Sequence, residues 1–127
     1  MSLARFATAA AVLALLAAPA AAAGIPIAVA KIGNHQILTD ASGRTLYTFD
    51  KDSKGKSTCY GLCSFAWPAA KAAANATPTG QFTVVPRTNG GGIWAYKGAP
   101  LYRYFKDHKP GDMFGDGLDG IWHTAIK

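Results

Sequence analysis

At 127 residues with two cysteines and a net charge of +6, the chain has room for one small domain with one core. The lysines at 51, 54, 56, 106 and 109 are interleaved with Asp50, Asp52, Asp107 and Asp112. That pattern describes a solvated rim rather than a basic stripe, and it argues against nucleic acid as a partner.

Residues 1–23 read as a secretory signal. Arg5 is the only charge, Ala9 to Ala18 is an uninterrupted apolar run, and Ala21-Ala22-Ala23 offers small residues before Gly24. The run is too short and too rich in alanine for a confident membrane span, a retained N-terminal anchor being the alternative. No cysteine stands near the expected cleavage point. The expected product is a single domain over residues 24–127, exported to the periplasm or outside, soluble, not lipidated and with no transmembrane span.

Ile27 and Val29 alternate with small residues and predict a first strand. Gln36 to Asp40, a turn at Ala41-Ser42-Gly43 and Arg44 to Phe49 predict a β-hairpin. Cys59 and Cys63 follow, and in an oxidising compartment an even count favours a disulfide. It closes so short a loop that its expected role is to pin Tyr60-Gly61-Leu62, a redox or metal role being the alternative. Pro68-Ala69-Ala70-Lys71-Ala72-Ala73-Ala74 consists of good helix formers after a permitted proline and predicts one short helix. Residues 75–80 link onward. Gln81 to Pro86 predicts a strand, and Gly90-Gly91-Gly92 a hairpin tip. Ile93 to Lys97, a turn at Gly98-Ala99-Pro100 and Leu101 to Phe105 predict a second hairpin, and Ile121 to Ile126 a last strand.

The two hairpins are copies. At a constant offset of 55 residues Gly43 falls on Gly98, Leu46 on Leu101, Tyr47 on Tyr102, Lys51 on Lys106, Asp52 on Asp107, Lys54 on Lys109 and Trp67 on Trp122. Phe49 falls on Tyr104, which keeps the ring. The expected fold is therefore mainly β, α+β at most: a small antiparallel domain of two pseudo-symmetric repeats, about 32–75 and 81–126, with one short helix. Neither copy buries a sheet face alone, so the two pack together.

Side chains alternate along a strand, which places Tyr47 with Phe49, and Tyr102 with Tyr104, on one face. These four rings are either a platform for a small flat ligand such as a quinone, flavin, haem or sugar ring, or a core with hydroxyls at its edge. Asp52 and Asp107 stand where a carboxylate closes a turn through backbone N–H groups; a converging acid–base or metal pair is the sharper alternative. Asp112, Asp116 and Asp119, among glycines, are weak candidates for calcium. His35, His108 and His123 lie far apart and form no zinc or haem signature. No nucleophile motif or phosphate loop is visible, so no catalytic residue and no cofactor is assigned.

At Tyr47-x-Phe49-x-x-Asp52 and Tyr102-x-Tyr104-x-x-Asp107 the chain resembles bacterial secreted-repeat proteins described as predicted lipoproteins with a Y-x-(F/W/Y)-x-x-D motif. The resemblance extends to Cys59-Tyr60-Gly61-Leu62-Cys63 before Trp67-Pro68, to Gly98-Ala99-Pro100-Leu101-Tyr102 and to Gly120-Ile121-Trp122-His123. It implies a repeat of unknown function with no transferable catalytic residue, and the absent lipidation cysteine departs from the envelope lipoproteins among its members. The leading expectation is a non-catalytic binding or envelope module with an unidentified ligand. The alternatives are a redox accessory or electron-transfer partner built on Cys59/Cys63 and the aromatic rings, and a calcium-binding exported protein.

Overall fold

A computed structural model describes residues 26–127, and the signal segment lies outside the described residues. β1 (Ile27–Ile32) pairs antiparallel with β2 (His35–Asp40), Ile27 standing opposite Asp40. Asp40 closes the next turn through its own carboxylate, which accepts from the N–H of Ser42, the hydroxyl of Ser42 and the N–H of Arg44. The chain then returns along β2, with Leu46 N–H bonded to the Leu38 carbonyl, and enters β3 (Tyr47–Phe49).

In the second sheet β6 (Gly92–Tyr96) is central, flanked by β4 (Lys71–Ala72) from the end of the first copy and by β5 (Phe82–Pro86), and joined by the short β7 (Ala99–Pro100). β8 (Trp122–Thr124) crosses back to pair with β3, Tyr47 opposite Thr124. The architecture is the expected antiparallel β fold of two copies.

Two elements differ from expectation. The β6–β7 turn is made by Lys97 and Gly98, at φ 51° and 83°, a two-residue connection, so the return strand expected over Leu101–Phe105 is instead Ala99–Pro100, followed by isolated bridges at Tyr102. Gly43 holds the same left-handed conformation at φ 87°, which accounts for a glycine at this register in both copies.

The larger correction concerns the predicted helix over 68–74. The only α-helix among the described residues is one turn, α1 (Leu62–Ala66), which starts at the end of the cysteine loop and runs past Cys63. Residues 68–72 are extended. Phe105 N–H bonds the Ala66 carbonyl, Arg103 N–H the Pro68 carbonyl, Ala70 N–H the Leu101 carbonyl and Trp94 N–H the Ala70 carbonyl. A helix would withdraw these groups from two neighbouring segments, and pairing across the sheet outweighs alanine's small helix preference.

The repeated Leu-Tyr pair sits between two layers. Leu46 and Leu101 turn to one side, into a cluster with Leu38, Trp94 and Ala125. Tyr47 and Tyr102 turn to the other, into a cluster with Trp67, Tyr104 and Trp122. All four residues of the two pairs are fully buried. Strand alternation thus divides one dipeptide between two cores.

Candidate functional site

Tyr47 and Tyr102 meet at the junction of the copies. The N–H of each bonds the carbonyl of the other, at 2.7 and 2.9 Å. Their side chains then cross. The Tyr47 hydroxyl donates to Asp107 Oδ2 at 2.5 Å, and the Tyr102 hydroxyl donates to Asp52 Oδ2 at 2.7 Å. Each copy's tyrosine serves the other copy's aspartate. The second carboxylate oxygen closes a turn in its own copy: Asp52 Oδ1 accepts from Thr58 N–H and Asp107 Oδ1 from Phe114 N–H. The turn-closing role expected of both aspartates is therefore half of what they do. Burial, and next the hydrogen bond to Asp107, raises the Tyr47 phenol well above its ordinary range. Burial raises Tyr102 likewise, with Asp52 adding to the rise and Ser57 opposing it.

The four motif rings lie in one cluster, with edge contacts from Tyr47 to Tyr104 and from Phe49 to Tyr102. Two tryptophans occupy its middle. Trp67 and Trp122 stack face to face at 3.7 Å and 3°. Phe49 stacks on Trp122 at 4.0 Å, and Tyr104 lies over Trp67 at 4.4 Å. The resulting column, Phe49–Trp122–Trp67–Tyr104, exchanges onto itself when the copies are swapped. The motif rings spend their faces on each other and on the tryptophans. The register of Trp67 on Trp122 signalled equivalent positions; their contact became visible only in three dimensions.

Further groups, from both copies, gather at the cysteine loop. Cys59 and Cys63 are joined in a disulfide, Cys59 being fully buried and Cys63 half-buried. Arg87, unremarked in the sequence, donates to Ser57 Oγ at 2.7 Å and to the Cys59 carbonyl at 3.0 Å, and its guanidinium lies 4.2 Å from the centroid of the Tyr60 ring. Ser57 Oγ also contacts the Tyr102 hydroxyl at 2.6 Å, so Arg87 is linked to the motif. The hydrogen bond from Thr88 and the nearby Arg87 cation lower the Tyr60 phenol.

The aspartates of the glycine-rich loop are separately employed. Asp112 accepts from the backbone of His108 and Lys109, bonds that lower its carboxyl below the usual range. Asp116 accepts from Thr124 N–H, and Asp119 is exposed. No group of three or more metal-ligating side chains occurs among the described residues. His123 pairs with Asp50 at 2.8 Å on the surface, while His35 and His108 are exposed elsewhere. Gly115 packs so closely that a Cβ there would stand 2.7 Å from the Trp67 ring.

Two open cavities adjoin, sharing Ala69, Lys71 and Arg103 in their walls. One, of about 400 Å³, is bounded by Ile27, Leu46 and Trp94; the other, of about 520 Å³, by Arg87 and the 89–92 turn.

A duplicated β domain whose copies exchange a Tyr–Asp bond is thus defined by its fold. The chain belongs to the Lipoprotein_15 family, described as a secreted repeat of unknown function, whose model matches twice, at residues 29–71 and 83–126. These spans agree with the two copies read from the sequence. No curated protein and no solved structure matches the chain. Among the described residues no helix is long and apolar enough to cross a membrane.

Proposed function

We propose that the protein is an exported, non-catalytic binding module of the cell envelope, soluble in the periplasm or outside and not lipidated. The observation that carries this reading is the crossed pairing of Tyr47 with Asp107 and of Tyr102 with Asp52. The motif that defines the repeat is occupied in holding the copies together, so it serves as scaffold, and recognition falls to residues in which the copies differ. The chain's two cysteines bind each other, which supports an unlipidated state.

Co-sedimentation with fractionated envelope from the producing cells tests the reading. The expected result is reversible association with one fraction, without chemical change to the protein or to the fraction. Failure to associate with every fraction, or turnover of a component by the purified protein, would overturn it.

A further inference from the structure

We propose that the adjoining cavities on either side of Lys71 and Arg103 form one site for a small organic anion with an apolar body. The inference rests on the binding-module reading and deepens it. The apolar part lies against Ile27, Leu46 and Trp94, and the anionic group meets Lys71 and Arg103, with Arg87 lining the second cavity.

Three observations converge on this ligand. The first is an unused donor. Trp94 is 3% exposed, and its indole Nε1–H has no acceptor among the described residues. Buried polar groups are almost always paired, and Trp94 lines the first cavity, whose occupant is the partner assigned to its enclosed N–H.

The second is charge. From Ser53 through Lys106 the sequence holds seven basic residues and no acidic one. The second cavity, with Lys71, Arg87 and Arg103 in its wall, is lined by no carboxylate. Asp40 lines the first, 4.0 Å from Arg103, a long contact that leaves the remaining guanidinium donors available. Fixed guanidinium forks suit a carboxylate, sulfonate or phosphate.

The third is asymmetry. Lys71 stands at the register of Ile126, and Arg103 at that of Thr48. The Trp94 N–H bonds Ala70 just as the Leu38 N–H bonds the equivalent Ala125. Lys71 of the first copy and Arg103 of the second thus each stand where the other copy has no cation, while the scaffold beneath them is common to both.

The probes are 2-naphthoate and dodecanoate, with 2-naphthamide as the uncharged isostere and inorganic phosphate as the anion without a body. Calorimetry on the mature protein is read beside the indole N–H resonances, Trp94 being assigned by the peak lost in Trp94→Phe. Saturable binding by at least one carboxylate is expected, at least tenfold tighter than 2-naphthamide and phosphate, with a shift of the Trp94 Nε1–H resonance. Lys71→Ala/Arg103→Ala is expected to weaken binding at least tenfold with the thermal midpoint unchanged. Both residues are outside the folded core, which keeps that variant informative if Trp94→Phe is unstable. Equal binding of naphthoate and naphthamide, phosphate binding as well as either carboxylate, or no perturbation of Trp94 by either carboxylate overturns the site. If the double variant still associates with envelope while no carboxylate binds, the site fails and the binding module stands; if the wild-type protein associates with no fraction, the broader reading fails.

Discussion

The hydroxyl of Tyr47 reaches the carboxylate of Asp107 across 60 residues of sequence and across the boundary between the copies. Its counterpart, Tyr102 to Asp52, spans 50 residues in the opposite sense. A motif that looks local, one tyrosine five residues before one aspartate, is satisfied only by exchange. This gives a physical reason for the duplication: a single copy would leave a buried phenol without its acceptor and a turn aspartate without its donor.

The two bonds differ in burial, and single substitutions should reveal it. Tyr47→Phe is expected to cost about 2–3 kcal/mol, because Asp107 is 2% exposed and loses its partner inside the protein. Tyr102→Phe is expected to cost about 1 kcal/mol less, since Asp52 is half-buried and water can replace the phenol. Urea unfolding at neutral pH measures both.

High pH should unfold the protein through the same residues. Tyr47 and Tyr102 are raised by burial and by their aspartates, so in the folded state they remain protonated where the unfolded chain ionises, from about pH 10 upward. The folded state then binds more protons than the unfolded one, and stability is intact below pH 10 and falls above it. The fall approaches about 1.4 kcal/mol per pH unit for each tyrosine. Unfolding midpoints measured from pH 8 to 12 should show this slope, halved in Tyr102→Phe.

The tryptophan stack depends on the missing side chain of Gly115. A methyl group there would press on Trp67 at 2.7 and 2.9 Å, and the ring is held between Trp122 and Tyr104. Gly115→Ala should cost about 2–3 kcal/mol and weaken the near-ultraviolet circular dichroism of the stacked indoles. An unchanged spectrum and midpoint would show that the stack yields easily.

The disulfide is expected to brace rather than create the fold. It closes a loop of five residues, for which loop-closure entropy predicts about 2 kcal/mol. The reduced protein should keep its near-ultraviolet spectrum and unfold at a correspondingly lower urea concentration.

Much of this arrangement was legible in the sequence, because the repeat register is a statement about backbone equivalence. It put a left-handed glycine at Gly43 and at Gly98, and the Leu-Tyr pairs and the tryptophans at equivalent positions. The same register also reaches residues 68–71, where the predicted helix fails. With Trp67 on Trp122, residues 68–71 fall on 123–126, a segment read as a strand. Alanine's helix propensity pointed the other way, but propensity weighs a residue against an isolated chain, whereas Ala70 is fixed by carbonyl and N–H partners on Leu101 and Trp94. The crossing of the tyrosines was not legible, since two tyrosines and two aspartates at equal offsets fit paired or exchanged partners equally well. Nor was the cavity beside Trp94, whose walls come from β1, the β2–β3 turn, β4, β6 and Arg103 and share no motif.

The exchange itself is tested most directly by double-mutant cycles over all four pairings of Tyr47→Phe and Tyr102→Phe with Asp52→Asn and Asp107→Asn. Coupling of about 1–2 kcal/mol is predicted for Tyr47 with Asp107 and for Tyr102 with Asp52, and none beyond about 0.5 kcal/mol for Tyr47 with Asp52 or Tyr102 with Asp107. Coupling confined to the pairs within one copy would contradict the account.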